Sequence, residues 1–174
     1  NAAAKLRLGF ILGRRGGQDD AALQAFAEVE KLYEASSDYE GLTEALIQRA
    51  NLLNRRNRAA EAEPVIDKAL GAAKSLGSRY QEIRLQLLQG VAARSQGHFD
   101  IAGNIAQKAV DAAIAEDMDN LAASGLLDLG NSYVIRGDFS NAEPAFHRAL
   151  DIARRGKVRP SEARAKASLG SLYE

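Results

Sequence analysis

The sequence predicts an all-α protein built as a solenoid of stacked helix pairs, and three observations carry that prediction. The first is composition. The 174 residues are 46% hydrophobic and 6% aromatic, with three prolines and no tryptophan, a balance that favours helix over sheet. The second is a repeat: Ala50, Gly90, Gly130 and Gly170 stand forty residues apart. The third is helical spacing within each step. Ala142, Phe146, Ala149 and Leu150 sit at i, i+4, i+7 and i+8, one stripe of a helix. Units of this length cannot bury an apolar face alone and do so by stacking on their neighbours.

Each unit reads as two helices. The first, A, carries the column of small residues. The second, B, carries the alanine and phenylalanine stripe. The opening unit (2–37) is the loosest: Gly9 aligns with Ala50 only if one residue is inserted, and the stretch "GRRGGQDD" at Gly13–Asp20 is the place for it. Its helices are expected at 3–15 and 20–35. From Ala22 onward the step holds, through Ala62, Ala102 and Ala142, through Ala69, Ala109 and Ala149, and through Leu70, Val110 and Leu150. The next units therefore read as 38–77 (helices 39–56 and 59–76), 78–117 (79–96 and 99–116) and 118–157 (120–136 and 139–155). A single further helix A is expected at 161–173 within the partial unit 158–174.

Local signals support these ends. Turn residues fall between A and B at "NRRN", "SQGHFD" and "IRGDF". Asp100 and Asp138 are placed to cap B helices, and Ser78 with Gln81 has capping-box spacing. Pro64 and Pro144 share one column inside the first two turns of B, where a slight bend or a late helix start is expected. Gly130 sits mid-helix at a cost of about 1 kcal/mol against alanine. Its place in the small-residue column assigns that cost to close A–B packing.

These residues resemble the tetratricopeptide repeat (TPR). Unit four carries the likeness best, with Leu126, Leu129, Gly130, Tyr133, Gly137, Phe139, Ala142, Phe146, Ala149 and Leu150. The forty-residue length is similar to the long-helix subtype found in kinesin light chains and in many bacterial signalling proteins. Departures are visible: Leu126 replaces the family's first large aromatic, Ala93 stands where tyrosine is frequent, and Arg49-Ala50 and Gln89-Gly90 replace the Leu-Gly pair. The resemblance implies a right-handed α–α superhelix of about four helix pairs plus one helix, with A helices lining a concave groove. A protein or peptide held in that groove is the function it implies.

On this reading the groove residues are Phe10 and Arg14 in unit one, and Asn51, Asn54 and Arg55 in unit two. Leu87, Val91 and Arg94 follow in unit three, and Leu127, Asn131 and Ile135 in unit four. Asn51 and Asn131 share a column, and an asparagine amide matches the donor–acceptor pair of a peptide backbone. Arg14-Arg15, Arg55-Arg56, Arg94 and Arg136 all fall at the ends of A helices. Cations are favourable at helix C-termini. The same row would also form a basic edge that recognises an acidic or C-terminal peptide.

Other chemistry is poorly represented. There is no cysteine, which removes disulfides and thiolate nucleophiles. His98 and His147 fall in different columns, and no metal-binding, phosphate-loop or nucleophile motif is present. No cofactor and no catalytic activity are expected. Asp19-Asp20 and Glu116–Asp119 read as solvated helix ends. Lys+Arg and Asp+Glu are both 23, and a neutral chain is a poor general binder of nucleic acid or acidic membrane. No apolar run reaches the length of a membrane span and no signal-peptide pattern opens the chain, so a cytoplasmic location is expected.

The leading expectation is thus a protein-interaction scaffold. The alternative is a sensor or oligomerisation segment of a larger signalling protein whose kinase, protease-like or transcription domain lies elsewhere. Because the last helix A lacks its B, the chain reads as a fragment. Leu169, Leu172 and Tyr173 are then expected to be partly exposed and available for self-association.

Overall fold

The computed structural model describes residues 1–15 and 17–173. Gly16, within the "GRRGG" stretch, and Glu174 lie outside the described residues. All regular structure among the described residues is helical: α1 (Ala2–Arg14), α2 (Asp19–Ala35), α3 (Tyr39–Arg55), α4 (Ala59–Leu76), α5 (Arg79–Ser95), α6 (Phe99–Ala115), α7 (Asp119–Ile135), α8 (Phe139–Arg155) and α9 (Arg159–Leu172). Odd-numbered helices are the A helices of the repeat and even-numbered ones the B helices. The chain divides into two compact units, Asn1–Leu88 and Gln89–Glu174, with the boundary inside α5. In the first unit α1, α2, α3 and α4 pack in consecutive pairs, and α1 also touches α3. In the second, α6, α7, α8 and α9 do the same, and α7 touches α9.

The turns obey a period of twenty, half the sequence period. Gly17, Ser37, Asn57, Gly77, Gly97, Asp117, Gly137 and Lys157 all have φ between 53° and 81°. This left-handed residue ends one helix and lets the chain reverse. After it, His98 N returns to Ala93 O at 3.0 Å and Val158 N to Ala153 O at 2.8 Å, closing the final turn of each helix. Four of these sites carry a side chain in a conformation that suits glycine best.

Packing between A and B explains the small-residue column. A Cβ built on Gly130 would stand 2.6 Å from Phe146 Cδ1, and one on Gly9 would stand 2.8 Å from Phe26 Cε1. Glycine therefore faces phenylalanine in both places. At the equivalent positions Ala50 is matched with Ile66, both fully buried. Gly90 is matched with Ala106, whose Cβ would lie 3.6 Å away, and with the carbonyl of Ala102 at 3.4 Å. The size matching runs one way: a phenylalanine in B takes a glycine in A, whereas Gly90 also faces the small Ala106. Gly170, its last member, faces open space. Around Phe26 the core of the first unit gathers Ala22 and Leu52, with Leu6, Leu12 and Leu23 packed against them.

One charged pair interrupts this apolar scheme. Glu30 occupies the column of Leu70, Val110 and Leu150, yet is only 4% exposed. Arg49 Nη1 donates to both its oxygens at 3.2 Å, and Lys68 Nζ approaches at 3.6 Å. Arg49 itself stands in the column of Leu129 and Leu169. Two columns that are apolar in the later repeats thus carry an ion pair here.

Several local expectations are corrected. Asp138 does cap α8, accepting from Asn141 N at 3.3 Å, and Ser78 accepts from Gln81 N at 3.4 Å. Asp100, however, lies inside the first turn of α6 and pairs with Arg136 at 3.0 Å. Asp38, unremarked in the sequence, caps α3 through Gly41 N at 2.9 Å. Pro64 and Pro144 do not delay their helices, which begin at Ala59 and Phe139.

Candidate functional site

On α1, Ala3, Leu6, Arg7, Phe10, Gly13 and Arg14 follow the helical stripe i, i+3, i+4, i+7, i+10 and i+11. On α3, Glu44, Gln48, Asn51 and Arg55 do the same. These stripes meet where α1 touches α3 and frame two clefts of the first unit. One, of about 460 Å³, is lined by Phe10, Gly13, Arg14, Arg55 and Arg56. The other, of about 350 Å³, is lined by Ala3, Leu6, Arg7, Phe10, Glu44 and Gln48. Phe10 belongs to both and is 42% exposed. The Arg14 guanidinium lies over its ring, 5.7 Å from the centroid, within cation–π range.

The partners of the arginines separate them into two groups. Arg56 pairs with Asp19 at 2.8 Å, Arg84 with Glu44 at 2.8 Å and Arg136 with Asp100 at 3.0 Å. Arg94 donates through Nη1 to the main-chain oxygen of Asp128 at 2.9 Å. Arg14 and Arg55 have no carboxylate partner among the described residues, and both are exposed. The first cleft therefore holds positive charge that the fold does not use.

Of the sequence-derived groove residues, Phe10, Arg14 and Arg55 are brought together. Asn51 is half-buried on the same stripe of α3, between Gln48 and Arg55. Four others are corrected. Leu127 is fully buried and Leu87 is 7% exposed, so both belong to the core and not to a groove. Asn54 Nδ2 turns to the main-chain oxygen of Leu88 at 3.5 Å, and Arg94 to that of Asp128. Residues 54 and 94 share a column, and both tie one A helix to the next. Val91 is half-buried. In the second unit Asn131 lines a cleft of about 490 Å³ with Val134, Phe139, Phe146, Ala167, Ser168, Ser171 and Leu172. Ile135 is 61% exposed. Sequence reasoning missed Arg7 and Gln48, each one turn from a residue that it named, and Ala3, two turns from Phe10. It also missed Ser171, which continues the column of Asn51 and Asn131.

Electrostatics elsewhere are structural. Burial pushes the Asp128 carboxyl above the usual carboxylate range, against the pull of Arg94 and Arg164. Hydrogen bonds from Asn141 and Ser140 hold the Asp138 carboxyl below it. His98 and His147 are both exposed, His98 in the turn before α6 and His147 within α8. Asp119 pairs with Arg155 at 2.6 Å, so the "EDMD" stretch is held in part by an arginine. Leu169 is 7% exposed and thus buried, contrary to the sequence reading, whereas Tyr173 is 65% exposed and hydrogen-bonds Glu143. No helix among the described residues is long and apolar enough to cross a membrane.

Solved structures share this arrangement of helices. The nearly identical TPR-like repeats of a Podosopora anserina protein, assigned to a kinesin light chain, superpose with a TM-score of 0.72 at 13% identity. That match covers 98% of this chain and 84% of the other. A single-substitution variant of the same protein gives 0.70 at 15% identity, with 99% and 87% covered. The fold is a TPR-like helical repeat. No protein-family model and no curated protein matches the sequence. In this TPR-like repeat, Gly9 seats Phe26 and Gly130 seats Phe146, and left-handed turn residues recur every twenty positions.

Proposed function

We propose that this chain is a protein-interaction scaffold, and that its first unit holds an acidic peptide segment or a C-terminal carboxylate against the α1–α3 face. The observation that carries the reading is the pair Arg14 and Arg55, which line one cleft with Phe10 and have no carboxylate partner among the described residues. Guanidinium groups left unpaired beside an aromatic face suit a carboxylate, by bidentate hydrogen bonding and by charge. The remaining groove candidates, Asn51, Val91, Asn131 and Ile135, would extend contact along the A helices in each unit.

Fluorescence anisotropy with labelled acidic peptides tests this, each peptide prepared with a free and with an amidated C-terminus. Arg14→Glu with Arg55→Glu is expected to weaken binding at least about tenfold at low salt, and added salt should weaken wild-type binding too. Arg148→Glu, an exposed charge reversal in the second unit, serves as the control. Equal binding by the double variant and wild type would remove the assignment.

A further inference from the structure

Two A helices of the repeat are tied to the A helix that follows by a side chain that donates to a main-chain oxygen. Asn54 reaches Leu88 at 3.5 Å, and Arg94 reaches Asp128 at 2.9 Å. The next pair in these columns is Val134 and Ser168. A valine side chain carries no hydrogen-bond donor, so the tie cannot form between α7 and α9. Arg164 still holds the N-terminal half of α9 to Asp128, at 3.6 Å. Where the tie would lie, the cleft of about 490 Å³ opens instead, with Val134 and Ser168 both in its lining. We infer that this cleft is a binding site for an uncharged aromatic compound bearing a hydroxyl or amide group. The site stands apart from the arginine cleft of the first unit and shares only Asn131 with the peptide reading.

The lining divides by chemistry. Phe139 and Phe146 of α8, Val134 of α7 and Leu172 of α9 give the cleft an apolar body, and Phe139 is 56% exposed. Asn131, Ser168 and Ser171 also line it, and their side chains make no hydrogen bond among the described residues. An amide offers both a donor and an acceptor, and a hydroxyl offers either. No charged side chain lines the cleft among the described residues, so an ionised ligand would shed water there without gaining a counter-charge.

Size and shape agree with this chemistry. The volume falls within the roughly 300–1,000 Å³ of small-molecule sites. The α9 wall is made of small side chains: Ala167, Ser168 and Ser171 stand where α7 has Leu127, Asp128 and Asn131. A flat ring entering beside them covers the exposed face of Phe139 and packs as aromatic pairs do. One polar group on that ring then meets the open amide and hydroxyls. The bound compound bridges α7 and α9 at the place where the other ties bridge their helices.

Amide NMR of the isotope-labelled full chain, titrated with p-cresol, tests the site, with toluene and p-toluate as controls. p-Cresol is expected to give saturable shifts in α7, α8 and α9 around the cleft. Toluene, which lacks the hydroxyl, should bind about fivefold more weakly. The anion p-toluate should bind there at least about tenfold more weakly. Val134→Arg supplies the donor that Arg94 uses and should close the cleft, weakening p-cresol at least about tenfold without lowering Tm. Ser168→Leu brings in the residue type that Leu88 has in the same column. It should weaken p-cresol likewise and keeps the test standing if Val134→Arg does not fold. The site is overturned if wild type shows no saturable shift, if the shifts map to α1 and α3, or if the folded variants bind p-cresol as wild type does. p-Toluate binding in the cleft as tightly as p-cresol would overturn the assignment of an uncharged ligand.

Discussion

Gly130→Ala measures the size-matching rule directly. In an exposed helix the change would be favourable by about 1 kcal/mol. At this site the new Cβ would stand 2.6 Å from Phe146 Cδ1 and 2.9 Å from Cζ, and the ring is only 1% exposed. Overpacking of a close-packed core costs about 1–3 kcal/mol, and contact this short belongs near the upper end. We expect a net loss of about 2 kcal/mol, which for a chain of this size is a drop of roughly 4–8 °C in Tm. Circular dichroism at 222 nm during thermal unfolding reads it.

The stronger form of the experiment is a cycle. Adding Phe146→Ile recreates the Ala50–Ile66 match that the second repeat already uses, so the double variant should recover at least about 1 kcal/mol relative to the sum of the singles. Gly170→Ala is the counter-case. It belongs to the same column but faces open space, and should gain from a few tenths to about 1 kcal/mol. If Gly130→Ala were as stable as wild type, or if the two penalties simply added, the glycine would not be there to admit the ring.

Further outcomes are expected at sites away from the clefts. Lys157→Gly and Asp117→Gly relieve left-handed backbone at φ 55° and 53° and should each raise stability by roughly 0.5–1 kcal/mol in chemical denaturation, whereas Gly97→Ala and Gly137→Ala should lower it. Arg49→Leu removes two hydrogen bonds from the buried Glu30 and leaves it Lys68 at 3.6 Å, which should cost about 1.5–3 kcal/mol, while Glu30→Leu combined with Arg49→Leu removes the buried charge and should be neutral or stabilising. Burial raises the Asp128 pKa in the folded state, so the folded chain binds a proton more readily than the unfolded one just above the ordinary aspartate value of about 3.9. Wild-type stability from this group therefore falls as pH rises through that window, and the Tm of Asp128→Asn minus that of wild type should grow between about pH 3 and 7.

The helices were legible because their signals are local and repeated. Forty-residue columns and turn residues placed all nine within two residues of their observed ends. The twenty-residue rhythm of the turns was harder to see, since half its left-handed positions are Ser, Asn, Asp or Lys. Glu30 could have been read as the charged member of a Leu/Val column, and Arg49 as its match one helix on. Face assignment was the weak step. Leu87 and Leu127 sit at helical offsets that a single helix wheel leaves outside the packing stripe, but an A helix here touches both its B helix and another A helix. Two contact faces widen the buried arc and absorb positions that a one-sided wheel exposes. The same second contact draws Asn54 and Arg94 to carbonyls of the following A helix.

The arginine row shows why a column alone does not assign a role. Every member gains from lying at a helix C-terminus, so position cannot separate a structural cation from a binding one. The partner can. Arg94 spends its guanidinium on the main-chain carbonyl of Asp128, and Arg56 and Arg136 spend theirs on Asp19 and Asp100 in the first turn of a B helix. Those last two arginines stand eighty residues apart and their carboxylates eighty-one, and both pairings hold neighbouring helices. Arg14 and Arg55 come from two different A helices, line one cleft with Phe10, over whose ring Arg14 lies, and receive no such carboxylate among the described residues. Keeping two like charges together without a counter-charge is unfavourable for folding, the more so when salt is low. That cost is offset when an external anion enters, and this is the physical reason to look for the ligand at the first unit before the second.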